Sequence, residues 1–172
     1  PRVNYKWSSP NKLHTLRVSF GTGYRVANVF TEDHAALTSA REVIIASELF
    51  PERSINSNLN YVRNIYTRNN ALVNIDASVF YTHFDNKIIP DYDTNPNQII
   101  YDNLDGKGVS QGISINLDVV MSTLKFRVGA TLMDVFTEND SVRERQELTE
   151  QFSGTWSIGY NIDKADIELN YT

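Results

Sequence analysis

The chain has 172 residues, 41% of them hydrophobic, and a formal net charge of −5; that is enough apolar material for one folded domain and too much for a disordered one. The acidic balance excludes nucleic acid as the main partner, since phosphate binding needs a basic surface. The absence of cysteine excludes disulfide frameworks, thiolate metal sites and cysteine nucleophiles.

Mean hydropathy is −0.37, and no apolar run approaches the roughly 20 residues of a membrane helix. A β-barrel stays open, because its strands show only alternate residues to lipid. From the first residues the period is two. Val3, Tyr5 and Trp7 alternate with Arg2, Asn4 and Lys6; after a short turn over residues 8–12, Leu16, Val18 and Phe20 alternate with Arg17, Ser19 and Gly21. A long connection, residues 23–51, follows. Within it Ser39, Ala40, Arg41 and Glu42 have the form of a capping box, predicting a short helix through Val43, Ile44, Ala46, Ser47 and Leu49 that Pro51 ends. Leu59 and Tyr61 then interleave with Asn58 and Asn60. Residues 67–70 turn, and Val73, Ile75, Ala77, Val79 and Tyr81 interleave with Asn74, Asp76, Ser78 and Thr82.

The second long connection, residues 89–106, holds Pro90, Pro96 and Gly106. Ile113, Ile115, Leu117 and Val119 next alternate with Ser114, Asn116 and Asp118. Ser122 and Thr123 form a tight turn into Leu124, Phe126, Val128, Ala130 and Leu132, which alternate with Lys125, Arg127, Gly129 and Thr131. A third long connection, residues 138–151, is polar and charged. Trp156, Ile158, Tyr160 and Ile162 follow, then a two-residue turn at Asp163 and Lys164, then Ile167, Leu169 and Tyr171.

The pattern predicts an all-β chain, an antiparallel up-and-down meander of about eight strands forming a single region over residues 1–172. Its connections alternate short and long, the rhythm of outer-membrane barrels with their long loops outside the cell. Tyr5, Trp7, Phe20, Tyr81, Trp156 and Tyr160 suit the aromatic girdles of such a wall. The alternative is a soluble secreted all-β binding module, a carbohydrate-binding-like sandwich, with the same alternation and its faces exchanged. The sandwich predicts that Ile75, Val79, Ile115, Leu117, Phe126 and Val128 share one water-free core; the barrel predicts an outward apolar belt. Because the chain opens at Pro1 without a signal peptide and still alternates as it stops, the expectation is that sequence is missing at both ends.

Candidate chemistry is sparse. His34 stands beside Glu32 and Asp33, but among His14, His34 and His83 no pair has metal-ligand spacing, so no metal site is expected. His83 is assigned to a polar strand face near the lumen mouth. Asp91, Asp93 and Asn95 have the oxygen-rich spacing of calcium ligands but lack the glycine and closing glutamate of a full calcium loop; a solvated loop is the simpler reading. Asp76 and Asp118 face the same way as Lys125 and Arg127, which predicts charge-paired lumen residues, not an acid–base pair. No nucleophile elbow, P-loop or dinucleotide fingerprint occurs, so no catalytic residue, no cofactor and no enzyme activity are expected. The candidate ligand contacts are Tyr24, Arg25, Phe30, Glu32 and His34, where a strand passes into the first long loop. The plainer reading, with Tyr24 in the girdle and Arg25 anchoring the loop, stays open.

The run Leu16-Arg17-Val18-Ser19-Phe20-Gly21-Thr22-Gly23-Tyr24-Arg25, followed by residues 26–30, resembles a motif of TonB-dependent outer-membrane transporters in which a strand rises into an extracellular loop. Leu49-Phe50-Pro51-Glu52-Arg53-Ser54, with Asn56, Asn58 and Tyr61 beyond, resembles the opening of that family's next downward strand. Gly108 and Gly112 are similar to its Gly-x-x-x-Gly start of another. The residues from Phe30 to His34 look most like transporters of the Bacteroidetes type. The resemblance implies part of a barrel of about 22 strands with a plugged lumen, whose plug domain and TonB box lie outside this sequence. It further implies residence in the bacterial outer membrane in contact with lipid. The implied function is active uptake of a scarce, bulky nutrient, driven by a TonB complex acting through the plug. That nutrient would be a metal chelate (siderophore, haem or cobalamin) or an oligosaccharide.

Overall fold

The structure, a computed structural model, describes residues 1–26, 41–45, 49–68, 70–139, 142–146, 149–162 and 165–171. Alternating segments fold as strands β1 (Arg2–Ser8), β2 (His14–Arg25), β3 (Glu42–Ile45), β4 (Glu52–Tyr66), β5 (Leu72–Asp85) and β6 (Ile88–Asp91). They continue with β7 (Gln98–Asn103), β8 (Lys107–Val120), β9 (Leu124–Asn139), β10 (Val142–Arg145), β11 (Phe152–Ile162) and β12 (Ala165–Tyr171). The main sheet runs β1-β2-β4-β5-β8-β9-β11-β12, with β10 folded back on β9. Every pairing in it is antiparallel. This is the eight-strand meander that the alternation predicts. Its path ends at β1 and β12, so the sheet is open, with an edge at each end.

The strands are long. β5 and β8 have 14 residues each and β9 has 16, so at about 3.3 Å per residue they extend roughly 45–55 Å. Tilted by about 40°, they still exceed a barrel's apolar band of about 25 Å.

Cross-strand register sorts the side chains onto two faces. Ile75, Leu117 and Val128 are partners across three strands, as are Val79, Ile113 and Leu132. Among the described residues no second layer covers this apolar face: Val79 and Ile115 are each 49% exposed and Leu132 55%. None of the six residues that a sandwich would bury is buried. They form an outward belt instead.

The deepest packing lies in the loops, and here the sequence expectation is corrected. Residues 42–45 form strand β3, not a helical turn, and pair in parallel with β7, Val43 opposite Ile99 and Ile44 opposite Ile100. β6 adds to the other side of β7, giving a three-stranded sheet. The capping box supplied a local helix signal, but Val43, Ile44 and Ile45 are β-branched and meet an equally apolar strand. Ile99, 1% exposed, and Tyr101, 4% exposed, form the core of this sheet with Val43 and Ile88 against them. Ser39, Ala40, Ala46 and Ser47 of the predicted helix lie outside the described residues, as does the turn at Asp163 and Lys164.

Candidate functional site

The polar face of the main sheet is tied together by side-chain hydrogen bonds. Arg17 donates to Asn60 at 2.8 Å, and Asn60 donates onward to Asp76 at 2.6 Å and Ser78 at 3.0 Å. Arg127 donates to Asp118 at 2.6 Å. Both aspartates are therefore engaged on the polar face, Asp118 with a cation as expected and Asp76 with an amide.

At the loop end of this face, Arg25 closes β2 opposite Glu52, which opens β4. Arg25 Nε and Nη2 reach Glu52 Oε2 at 2.7 and 2.5 Å, and Glu52 Oε1 accepts the Ile88 backbone N–H at 2.9 Å. Glu52 is 7% exposed; a carboxylate that deep is tolerable because charged and neutral donors satisfy it. Lys87 stands next to it. Burial pulls the Lys87 ammonium below its ordinary pKa, Glu52 pushes back, and Arg25 adds to the lowering. A concavity of about 560 Å³ opens here, with Arg25, Glu52, Ser54, Phe84, Lys87 and Ser110 among its walls.

Two long loops are clasped above it. The Asn103 side chain accepts the Phe50 N–H at 2.7 Å and donates to the carbonyls of Phe50 at 2.9 Å and Asn86 at 2.8 Å. Together with the β3–β7 ladder, this joins residues 42–45 and Phe50 to residues 86–103.

The candidate contacts separate by parity. Arg25 sits at the mouth on the polar face, whereas Tyr24, 80% exposed, stands on the apolar face opposite Arg53. Phe30, Glu32 and His34 lie outside the described residues. His83 departs from its expected face: it shares the outward register with Tyr81 and Val79, two and four residues before it, and bonds Asp85 at 3.0 Å. Asp91 folds back on its own loop. Its Oδ1 accepts the N–H groups of Asp93 at 2.9 Å and Thr94 at 3.0 Å, and its Oδ2 the Thr94 hydroxyl at 2.5 Å. Those bonds hold its carboxyl below the ordinary pKa. Among the described residues, no group of three or more His, Asp or Glu side chains is gathered to hold a metal ion.

Two side chains escaped the sequence reading. Phe80 and Phe84 lie on the polar face, Phe80 between Asn58 and Gly112 and Phe84 between Ser54 and Gly108. A Cβ at Gly112 would fall 2.5 Å from Phe80 Cζ and 2.5 Å from the Leu132 carbonyl oxygen. The glycine makes room for the ring. The signal was present as matched spacing, Phe80-x-x-x-Phe84 against Gly108-x-x-x-Gly112, but only the register brings the pairs together.

The sequence profile described as TonB dependent receptor-like, beta-barrel matches residues 1–170. No curated protein sequence matches the chain. Among solved structures, the FrpB iron transporter from Neisseria meningitidis superposes with a TM-score of 0.73 at 15% identity, over 99% of this chain and 25% of that one. The Serratia marcescens hemophore receptor HasR, solved as a double mutant with its hemophore HasA and heme, gives 0.72 at 12% identity, over 98% of this chain and 31% of its own. At such identities the likeness is one of fold, and the chain spans about a quarter to a third of the length of these structures. The profile match over nearly every residue, on an open antiparallel wall with one apolar and one polar face, shows that the chain belongs to the TonB-dependent receptor-like β-barrel family, whose members are outer-membrane proteins of Gram-negative bacteria.

Proposed function

We propose that this chain is part of the wall of an outer-membrane receptor, of the Bacteroidetes type, that takes up a scarce, bulky nutrient under TonB energy coupling. The nutrient is a metal chelate such as a siderophore, haem or cobalamin, or an oligosaccharide. The observation that carries the reading is the exposed apolar belt backing a hydrogen-bonded polar wall, in a chain matched to the family over residues 1–170. That FrpB is an iron transporter and HasR a receptor for a heme-carrying hemophore supports the general class. The soluble-module alternative fits poorly, since the six residues it would bury together are not buried.

In this reading outer-membrane lipid covers the belt. The loops of residues 23–51, 89–106 and 138–151 face the medium. Ligand capture falls to the first two, with Arg25 at the mouth, Tyr24 at the rim, and Phe30, Glu32 and His34 completing the contact set. A plug domain elsewhere in the protein would receive the TonB complex. Fractionation of the complete protein, with a heat-modifiability test on a denaturing gel, checks the barrel: a membrane band whose mobility changes on boiling is expected. A soluble protein without the shift overturns the reading.

A further inference from the structure

We propose that Arg63, with His14 and Lys12 beside it, forms a site on the lipid-facing side of the wall for the phosphate of an anionic glycerophospholipid. The lipid belongs to the periplasmic leaflet, at the end of the strands where the short turns lie. This rests on the reading in which lipid covers the apolar belt, and it names the lipid class that one point of the belt selects. Charge is divided unevenly along the chain. Half of its 16 Lys and Arg residues fall within residues 1–31 and 53–75, which hold none of its 21 Asp and Glu residues. The others of this set stand on the polar face, in the short turns or, like Arg53, at the mouth; Arg63 stands among apolar side chains. It pairs across the sheet with His14 on β2 and Ile75 on β5, and so shares the outward register of Leu59 and Tyr61. The outward positions around it are Leu16, Tyr61, Ile65, Val73 and Ala77.

Both strands that flank Arg63 belong to this chain, so the sheet itself offers it no acidic neighbour. The side chain is exposed and makes no hydrogen bond or ion pair among the described residues. A cation that faces lipid without a counter-charge is costly, so its anion has to come from off the sheet. The position along the strands selects a headgroup. His14 is where β2 leaves its short turn: the Ser9 N–H donates to the His14 carbonyl at 3.0 Å, and the Lys12 N–H to the Ser9 carbonyl at 2.8 Å. Arg63, directly opposite, therefore stands at the margin of the belt. A phosphodiester has two unesterified oxygens, which a guanidinium fork meets with two parallel N–H bonds. His14 Nδ1 and the Tyr61 hydroxyl share a hydrogen bond of 2.7 Å, with the rings stacked 6.1 Å apart. With that hydroxyl donating, Nε2 carries the imidazole proton and is a donor to the same phosphate. Lys12, two residues before His14, adds a second charge. A headgroup that brings its own quaternary ammonium sets a cation beside these cations and is held less well.

The test uses the complete protein, purified in a non-ionic detergent and titrated with dioctanoyl phosphatidylglycerol and, separately, with dioctanoyl phosphatidylcholine. Native mass spectrometry counts the bound lipid. Phosphatidylglycerol should be retained in preference to phosphatidylcholine, and Arg63→Gln should weaken it about fivefold. Arg53→Gln, on the same strand and face but at the loop end, should retain it as the parent does. Arg63 has no protein partner, so the heat-modifiability shift should survive its replacement. If Arg63→Gln fails to form a barrel, Lys12→Asn reads the same site. Lys12 has a φ of 56°, which asparagine tolerates, and the expected weakening is again about fivefold. Equal retention of the two lipids by the parent overturns the proposal, as does unchanged affinity in Arg63→Gln or, where that variant does not fold, in Lys12→Asn. An equal loss in Arg53→Gln shows attraction to overall charge and overturns the site. Displacement of phosphatidylglycerol by equimolar inorganic phosphate overturns the lipid assignment in favour of a water-borne anion. In all these cases a retained heat-modifiability shift leaves the uptake reading standing. A soluble complete protein without the shift overturns both.

Discussion

Glu52 holds Arg25 with one carboxylate oxygen and the backbone N–H of Ile88 with the other, so a single buried side chain joins β2, β4 and the start of β6. Replacing it by alanine leaves the Ile88 N–H and one face of the Arg25 guanidinium without their acceptor. The expected loss is roughly 1–3 kcal/mol of local stability at the mouth. Hydrogen exchange at Ile88 should quicken accordingly, while amides near the short turns keep their protection. Unchanged exchange at Ile88 would mean that the carboxylate does not anchor the loop.

An arginine scan along the apolar face separates lipid from a protein core. Ile115 lies within the belt, whereas Ile55 lies two residues from Arg53 at its loop-side margin. Ile115→Arg is expected to cost about 2–4 kcal/mol and Ile55→Arg no more than about 1. Urea titration of the complete protein in lipid vesicles measures both, and equal costs would contradict lipid contact.

The clasp between the two long loops is open to proteolysis. Asn103→Ala removes two donors and one acceptor from the backbones of Phe50 and Asn86. Ile99→Ala hollows the core beneath, for about 2–5 kcal/mol. In either variant limited proteolysis should cut within residues 86–106 faster than in the parent, with the heat-modifiability shift retained. Loss of that shift would show that the loop sheet supports the whole barrel.

Lys87 sets a pH dependence at the mouth. Its pKa lies below the ordinary 10.5, with burial as the main cause. Between the lowered value and 10.5 the unfolded chain binds the proton and the folded one does not, so stability rises with pH through that window. Below the window the penalty of a buried charge is present in full. Lys87→Met removes it: stability at neutral pH should rise, and the alkaline gain should vanish from denaturant titrations at stepped pH. A gain of the same size in both proteins would place its source elsewhere.

The eight long strands were legible because each strand shows different surroundings to its two faces, and that difference is written as alternation of period two. Val43, Ile44 and Ile45 were misread because the partner that makes them a strand, Ile99 to Tyr101, lies more than fifty residues later. A local capping signal cannot report that partner. His83 was misplaced by its polarity, although its parity with Val79 and Tyr81 puts it outside. Phe80 and Phe84 failed in the opposite sense, being apolar residues on the polar side, and only their glycine partners explain how the wall accommodates them. The engagement of Arg25 by Glu52 is likewise a matter of register, invisible while the two residues are read 27 positions apart.

The ladders β2–β4, β4–β5, β5–β8 and β8–β9 each run from end to end without a bulge. Odd and even positions along a strand are therefore committed to opposite environments, oil on one side and water on the other. Inserting or deleting one residue within β5 would turn every later side chain of that strand inside out, sending Phe80 or Asp76 into lipid. Changes of two residues keep the sides and shift only the height. Length variation among descendants of this sequence should accordingly collect in the connections, and within strands it should come in even steps.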